Sequence, residues 1–461
     1  MTIFQNMKPV AMESISKLAA FLVLTASCTS VLSEPVKTET LSSEAVIRAC
    51  PEKAGGLMYV YDYKAETPMT PAPKGYRPFY ISQFGRHGAR YALQKQFEMV
   101  SAVLGRAEKE GLLNERGAAL FAAYKPFHER ASLCEGELTE VGIDQQRTIA
   151  TRLYRRFPEV FRGETRLSAL ATPVPRVIMS MTSFIDALQA EDKTLEVEER
   201  SSESFSPILR PNWSTLDVRR PRSVDEIIAP YIPYFKETVD IQGILGRIFT
   251  DPDEAVQRCH IDVVLFIRYL FDLDNGMGCL EHPEPVFDGL FTAEDRVAVA
   301  RAAWYRLALF LTHVRDSGSL YPDFAAYTLR DIMDLAEADM ESGAVQLRLR
   351  FSHDSSLIPL AVLMDVNGMG RTAASAEEAF EIFPMWKMPM GGSLQLVFYR
   401  SRRNPEVLVK VLWNEAEATL PFPAADGPYY RWSDFKSYYR PVMDRIFTEI
   451  ETLRTQEHAH D

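Results

Sequence analysis

A chain of 461 residues, 46% apolar and 25% charged, is long enough to bury one large core or two moderate ones and too apolar to be a disordered chain. Its formal net charge of −12 argues against a general nucleic-acid binder, which needs a basic face along the phosphates. Any anionic ligand must therefore be held by a local cluster of positive charge.

The first element is a leader. Lys17 precedes LAAFLVLTAS, residues 18 to 27, an apolar run too short to span a bilayer but suited to the core of a signal peptide. Residues 1–33 are thus read as signal and linker, and the expected location is periplasmic, lipid-anchored at the outer surface, or secreted. Cleavage before Cys28, where TASC has the form of a lipoprotein box, would anchor the chain to a membrane. Plain cleavage near Ser33 would not, and both stay open. Cys50, Cys134, Cys259 and Cys279 remain, and in an oxidising compartment they allow two disulfides in three pairings. None stands in a paired CxxC spacing, which speaks against a zinc site.

The mature chain alternates as an α/β protein does. RPFYISQF reads as a buried strand, and QKQFEMVSAVLGRAEKEGLL follows with helical spacing. A helix is predicted from Leu138 to about Phe157 with Thr139 as its N-cap and Pro158 beyond its end. A strand near LSALATP, a helix near VIMSMTSFIDALQA and a strand near KTLEVEER complete a first α/β part over 45–204. Residues 205–340 are mostly helical, as an inserted or appended domain. Strands return in AVQLRLRFS, SLQLVFYR and EVLVKVLW, a second α/β part over 341–461.

Two strand ends each present a histidine. In open α/β sheets ligands bind beyond the carboxyl ends of the strands, and both RHGAR (86–90) and SHD (352–354) stand at such ends. Gly85 and Gly88 are expected to let the backbone turn sharply and approach an anion, with helix N-terminal amides behind it. Arg86 and Arg90 add forked donors that match tetrahedral oxyanions better than lysine does. Together these describe a phosphate cradle with a solvent-facing nucleophile, His87, at its floor. Asp354 also reads as an N-cap for the helix SSLIPLAVLM, and Glu137 and Thr139 as helix-start residues.

RHGAR at 86–90, GELTEVG at 136–142, ATPVPRVIMS at 171–180 and His353-Asp354 together resemble the histidine acid phosphatase family, branch 2 of the histidine phosphatase superfamily, with phytases and multiple inositol polyphosphate phosphatases among its members. The resemblance implies a phosphoglycerate-mutase-like core, a mixed sheet flanked by helices, with an additional mostly helical domain. It implies a phosphomonoesterase in which His87 is the nucleophile, forming a phosphohistidine. Arg86, Arg90, Arg176 and His353 would bind the phosphoryl oxygens, and Asp354 would protonate the leaving group. No cofactor and no metal is implied, because the arginines supply the charge. The partner is a phosphorylated small molecule, with no nucleic acid.

The pattern also departs from parts of that family. Multiple inositol polyphosphate phosphatases share the RHGxRY form but usually carry His-Ala-Glu where this chain has His353-Asp354, which places it nearer the His-Asp phosphatases. A catalytically silent phosphate-binding protein on the same fold is the alternative, disfavoured because a binder has no use for a proton donor. A mutase-like transferase fits less well, since that layout is short and single-domain.

Overall fold

Tyr80, Phe84 and their neighbours alternate with Ile81 along one strand, and that alternation builds the molecule around β1 (Tyr76–Arg86). The computed structural model describes residues 41–218 and 222–457; the expected leader and Cys28 lie outside them. The remaining strands are β2 (Arg166–Ala171), β3 (Glu196–Ser201), β4 (Leu347–Ser352), β5 (Ser393–Ser401), β6 (Leu408–Trp413), β7 (Ala416–Glu417) and β8 (Tyr429–Arg431). Their order is β3-β2-β4-β1-β5-β6-β7, with β8 paired to β6. The first four in that order run parallel, and β5 and β6 are antiparallel. The expected mixed sheet is therefore present.

The longer helices, those of ten residues or more among the described residues, are α1 (Gln94–Lys109), α2 (Glu115–Ala131), α3 (Glu140–Arg156), α4 (Pro175–Glu191), α5 (Val263–Gly276), α6 (Ala293–Leu311), α7 (Tyr321–Ser342), α8 (Asp354–Leu363) and α9 (Trp432–Glu457). Helices α3 and α4 cover one face of the sheet, where Ile81, Leu167, Leu349, Phe351 and Val397 meet Ile149, Val177 and Phe184. On the other face Tyr80, Phe84, Leu396 and Phe398 join Phe266, Val299, Leu329 and Phe435, so the helices of the 205–342 stretch share a core with the sheet. Each such buried side chain contributes ~1.5–3 kcal/mol.

The arginines of LRLRFS show how a polar alternation survives in a central strand. Arg348 and Arg350 of β4 point away from Leu347, Leu349 and Phe351 and are met by carboxylates of α7. Arg348 donates to Asp339 at 2.7 Å and Arg350 to Asp331 at 2.8 Å. Each pair joins one buried and one half-buried charge, so neither arginine stands in the interior without a counter-ion. The two disulfides that the cysteine count allowed are not formed: Cys134, Cys259 and Cys279 carry free thiols.

Candidate active site

Strand register assembles the site. β1 and β4 are parallel neighbours with Arg86 opposite Ser352, and the His87 amide donates to the Ser352 carbonyl at 3.1 Å. Arg86-His87 and His353-Asp354 therefore leave the sheet side by side. The two imidazoles lie 5.5 Å apart, edge to face. β2 supplies the third strand end: Thr172 just beyond it meets His353 Nε2 at 3.2 Å, and Arg176 stands in the first turn of α4. All six residues named from the sequence fall in this one cluster.

His87 is only 2% exposed, which differs from the solvent-facing nucleophile expected. Its Nδ1 lies 2.9 Å from the Gly88 carbonyl. A carbonyl only accepts, so Nδ1 carries the proton and Nε2 keeps a lone pair. Burial, then Arg86, Arg176 and Arg90, hold this imidazole well below its ordinary pKa. His353 is likewise lowered, to about 4, by burial first and by Arg176 next. Both rings are neutral well into the acid range, and neutral imidazole is the nucleophilic form.

The three arginines are committed to different degrees. Arg86 is a strut: Nη1 donates to the Leu57 and Met388 carbonyls and Nη2 to Asp354 at 2.7 Å, leaving Nε buried without a partner. Arg90 donates to its neighbour's carbonyl, and its Nε, like that of Arg176, is buried and unpaired. Burial above all, with Arg90 beside it, pulls Arg176 down to about 10. Each of these three cations keeps a buried Nε without a protein partner. Buried donors without acceptors cost free energy, and an oxyanion would satisfy them.

The glycines work differently from the expectation. Neither Gly85 nor Gly88 adopts a positive φ. A Cβ on Gly88 would instead lie 2.7 Å from the Cα of Gly142 and nearer still to its carbonyl oxygen. Gly88 is thus small so that the loop can press against the start of α3. The loop amides are also already used: Arg86, His87, Gly88 and Ala89 donate to Gly392, Ser352, Ser180 and Gln145. The cradle is built from guanidiniums rather than from backbone N–H groups.

GELTEVG is what holds that loop. Gly136 and Thr139 donate through their amides to Ala92 and Ala89, and Glu137 accepts from Tyr91, a short zipper along both segments. Thr139 is the N-cap of α3, as its sequence position predicts, and its hydroxyl also reaches the Ala89 carbonyl. Ser180, from the ATPVPRVIMS stretch, receives the Gly88 amide and donates to the Arg176 carbonyl, tying loop to helix.

Asp354 departs from the N-cap reading. His353 occupies the cap position and Asp354 is the first residue of α8. Its carboxylate accepts from Arg86 and from the Ser355 amide at 2.7 Å. Burial raises its pKa, yet Arg86, His353 and Arg90 together outweigh burial and hold it below the usual carboxylate range.

A cleft of about 160 Å³ adjoins the cluster: Arg86, Arg90 and Asp354 are shared with it, and Gln96, Arg268, Asp272, Trp304 and Arg306 are among the residues that complete its wall. The sequence reading missed these wall residues. A signal was available: Arg268 and Arg306 each interrupt an apolar helical run, VVLFIRYLF and AWYRLALFL. Among the described residues no three His, Cys, Asp or Glu side chains gather as a metal site would need.

Residues 85–218, which span the loop, GELTEVG and Arg176, match the family model "Histidine phosphatase superfamily (branch 2)". That segment carries the motifs on which the resemblance to this family rests. Human multiple inositol polyphosphate phosphatase 1 is 20% identical over 397 residues, covering 79% of this chain and 80% of the relative. The solved multiple inositol polyphosphate phosphatase of Bifidobacterium longum, in complex with inositol hexasulfate, superposes with a TM-score of 0.66 at 18% identity, covering 84% of this chain and 97% of that one. The phytase from D. castellii gives 0.65 at 15% identity, over 88% and 89%. At these identities the superpositions establish the fold. The chain thus aligns with inositol polyphosphate phosphatases while carrying His353-Asp354 at the end of β4.

Proposed function

We propose that the chain hydrolyses phosphomonoesters through a covalent phosphohistidine on His87, with small organic phosphates, inositol phosphates included, as its substrates. The observation that carries this reading is the His87 Nδ1 contact to the Gly88 carbonyl, which fixes the tautomer with a free Nε2 amid three arginines. Nε2 attacks phosphorus in line, the ester P–O bond breaks, and Asp354 gives its proton to the departing alkoxide. Water then attacks the phosphohistidine, the Asp354 carboxylate takes a proton from that water, and inorganic phosphate leaves with neutral His87 restored. Arg90 and Arg176, with His353, hold the equatorial oxygens on which transition-state charge gathers. The charge comes from side chains of this protein, so no metal enters either step.

At rest Asp354 is anionic beside Arg86. A bound phosphate competes for Arg86 and sets negative charge next to the carboxylate, and both effects raise its pKa. The acid is thus charged with its proton when substrate binds, most readily at acidic pH, where His87 is still neutral. Export, with or without a lipid at Cys28, completes the proposal and rests on the apolar run at 18–27.

Asp354→Asn tests the scheme. The variant keeps the side chain's size and removes its proton. Turnover of a sugar or inositol phosphate, whose alkoxide needs protonation, should fall by ~10²–10⁴-fold. Turnover of nitrophenyl phosphate, which has a good leaving group, should fall far less. Equal losses on both substrates would show that Asp354 positions Arg86 rather than donating the proton.

A further inference from the structure

Helix α3 has two working faces. Its inner face holds the catalytic loop: Gln145 accepts from the Ala89 amide and Gln146 donates to the Arg86 carbonyl. Its outer face reads RTIATRLYRR, residues 147 to 156, and helical spacing sets Arg147, Thr151 and Arg155 in one row and Thr148, Arg152 and Arg156 in the next. With Lys64 and Glu66, from the segment before β1, these residues line a hollow of about 540 Å³ that shares no residue with the catalytic cleft.

The hollow is basic in a chain of net charge −12: five cations line it against one carboxylate, Glu66. Two of the five are structural. Arg152 and Arg156 share Glu415, a buried carboxylate in the turn between β6 and β7, at 2.6 and 4.0 Å, and they also donate to the Tyr63 and Thr67 carbonyls. Glu415 sits at a φ of +64°, a conformation that favours glycine, and its ion pairs offset that strain. Arg152 and Arg156 are therefore the floor of the hollow.

The rim is available to a ligand. Arg155 pairs with Glu191 and Lys64 with Asp144, each cation 68% exposed, and surface pairs of this kind exchange readily. Among the described residues Arg147 forms no ion pair, although its charge is felt at Asp144, and the Thr148 and Thr151 hydroxyls form no hydrogen bond. Arg147 and Arg155 stand about 12 Å apart along the helix axis. One phosphate does not span that row. A ligand with several phosphoryl groups in line does, with a guanidinium fork at each end and a hydroxyl between them. Anionic lipid headgroups carry the same chemistry on a surface, whereas this site is concave and suits a molecule that enters it.

We propose that this hollow is a second, non-catalytic anion site, which binds a soluble oligophosphate through Arg147, Thr151, Arg155 and Lys64. Because it shares no residue with the catalytic cleft, it stands whether or not His87 is the nucleophile.

Inorganic tripolyphosphate is the probe. It is titrated calorimetrically into full-length His87→Ala protein and into the same protein carrying Arg147→Gln, Arg147→Lys or Arg155→Gln, each checked for unchanged melting. Binding at the catalytic cleft is common to all four proteins, so the differences among them read the hollow. Arg147→Gln should weaken tripolyphosphate binding about ten-fold, the strength of one charge-assisted hydrogen bond. Arg155→Gln should weaken it less, because Glu191 shares that cation, and Arg147→Lys should retain part of the affinity, because the charge is kept and only the fork is lost. With His87 intact, Arg147→Gln should leave turnover of nitrophenyl phosphate unchanged. Tripolyphosphate binding that is the same in Arg147→Gln overturns the proposal. So does a loss of turnover that matches the loss of binding, which would place the effect in the catalytic loop behind α3. Sedimentation with phosphatidylglycerol vesicles is the second arm: binding to vesicles that depends on Arg147, with none to tripolyphosphate, would assign the face to a lipid surface and overturn the soluble ligand.

Discussion

At the scale of single residues, the site depends on cations that lack protein partners. Arg176 is the clearest case, half-buried, with a buried unpaired Nε, and pulled down to about 10. It is also among the groups that keep His87 neutral. Arg176→Gln should therefore act twice. Loss of a transition-state donor should lower kcat/KM by ~10²-fold. Loss of a neighbouring positive charge should ease protonation of His87, raise its pKa and move the acid limb of the pH profile to higher pH. The profile of kcat/KM from pH 3 to 8 separates the two effects. A drop in rate with no movement of the acid limb would place Arg176 in oxyanion binding alone and leave the depression of His87 to burial, Arg86 and Arg90.

At the scale of elements, the motif segments serve each other before they serve the ligand. The RHGAR loop is pinned by GELTEVG on one side and by Ser180 on the other, and its closest contact is Gly88 against Gly142. Gly88→Ala should force loop and helix apart, costing ~1–3 kcal/mol of stability and a larger share of activity, because His87 moves with the loop. Gly85→Ala is the control, since its Cβ would meet nothing nearer than 3.5 Å. Thermal melts and turnover of both variants check this. A well-tolerated Gly88→Ala would mean that the loop has slack, contrary to the account.

Legibility from the sequence divides along the same lines. The strand under RPFYISQF, the helix capped by Thr139 and the strand in QLRLRFS were readable because period and caps are local. Helix α2 and the 26-residue α9 went unread. Pro126 and Pro441 interrupt their patterns, and their burial is decided by distant partners. Asp354 gave an N-cap signal because aspartate before a helix commonly caps, whereas here Arg86 claims the carboxylate. The glycines suggested backbone flexibility and delivered close packing, which only a contact 54 residues away in sequence reveals.

At the scale of the whole molecule, a chain of net charge −12 brings four arginines, Arg86, Arg90, Arg268 and Arg306, to one cleft. The six residues of the cluster were legible because they stand at or just beyond strand ends, within short motifs. The wall residues were not, because Arg268 and Arg306 reach the cleft only through the packing of α5 and α6 against the sheet. The fold places neutral His87 among Arg86, Arg90 and Arg176, and the proposed function stands or falls on that nitrogen becoming phosphorylated. Mixing the enzyme with excess ³²P-labelled substrate and quenching in alkali and detergent within milliseconds preserves a phosphohistidine for peptide mapping. Wild type should carry label on the peptide containing His87, Asp354→Asn should carry it with slower onset, and correctly folded His87→Ala should carry none and turn nothing over. Label on any other residue, or turnover retained by His87→Ala, would contradict the account.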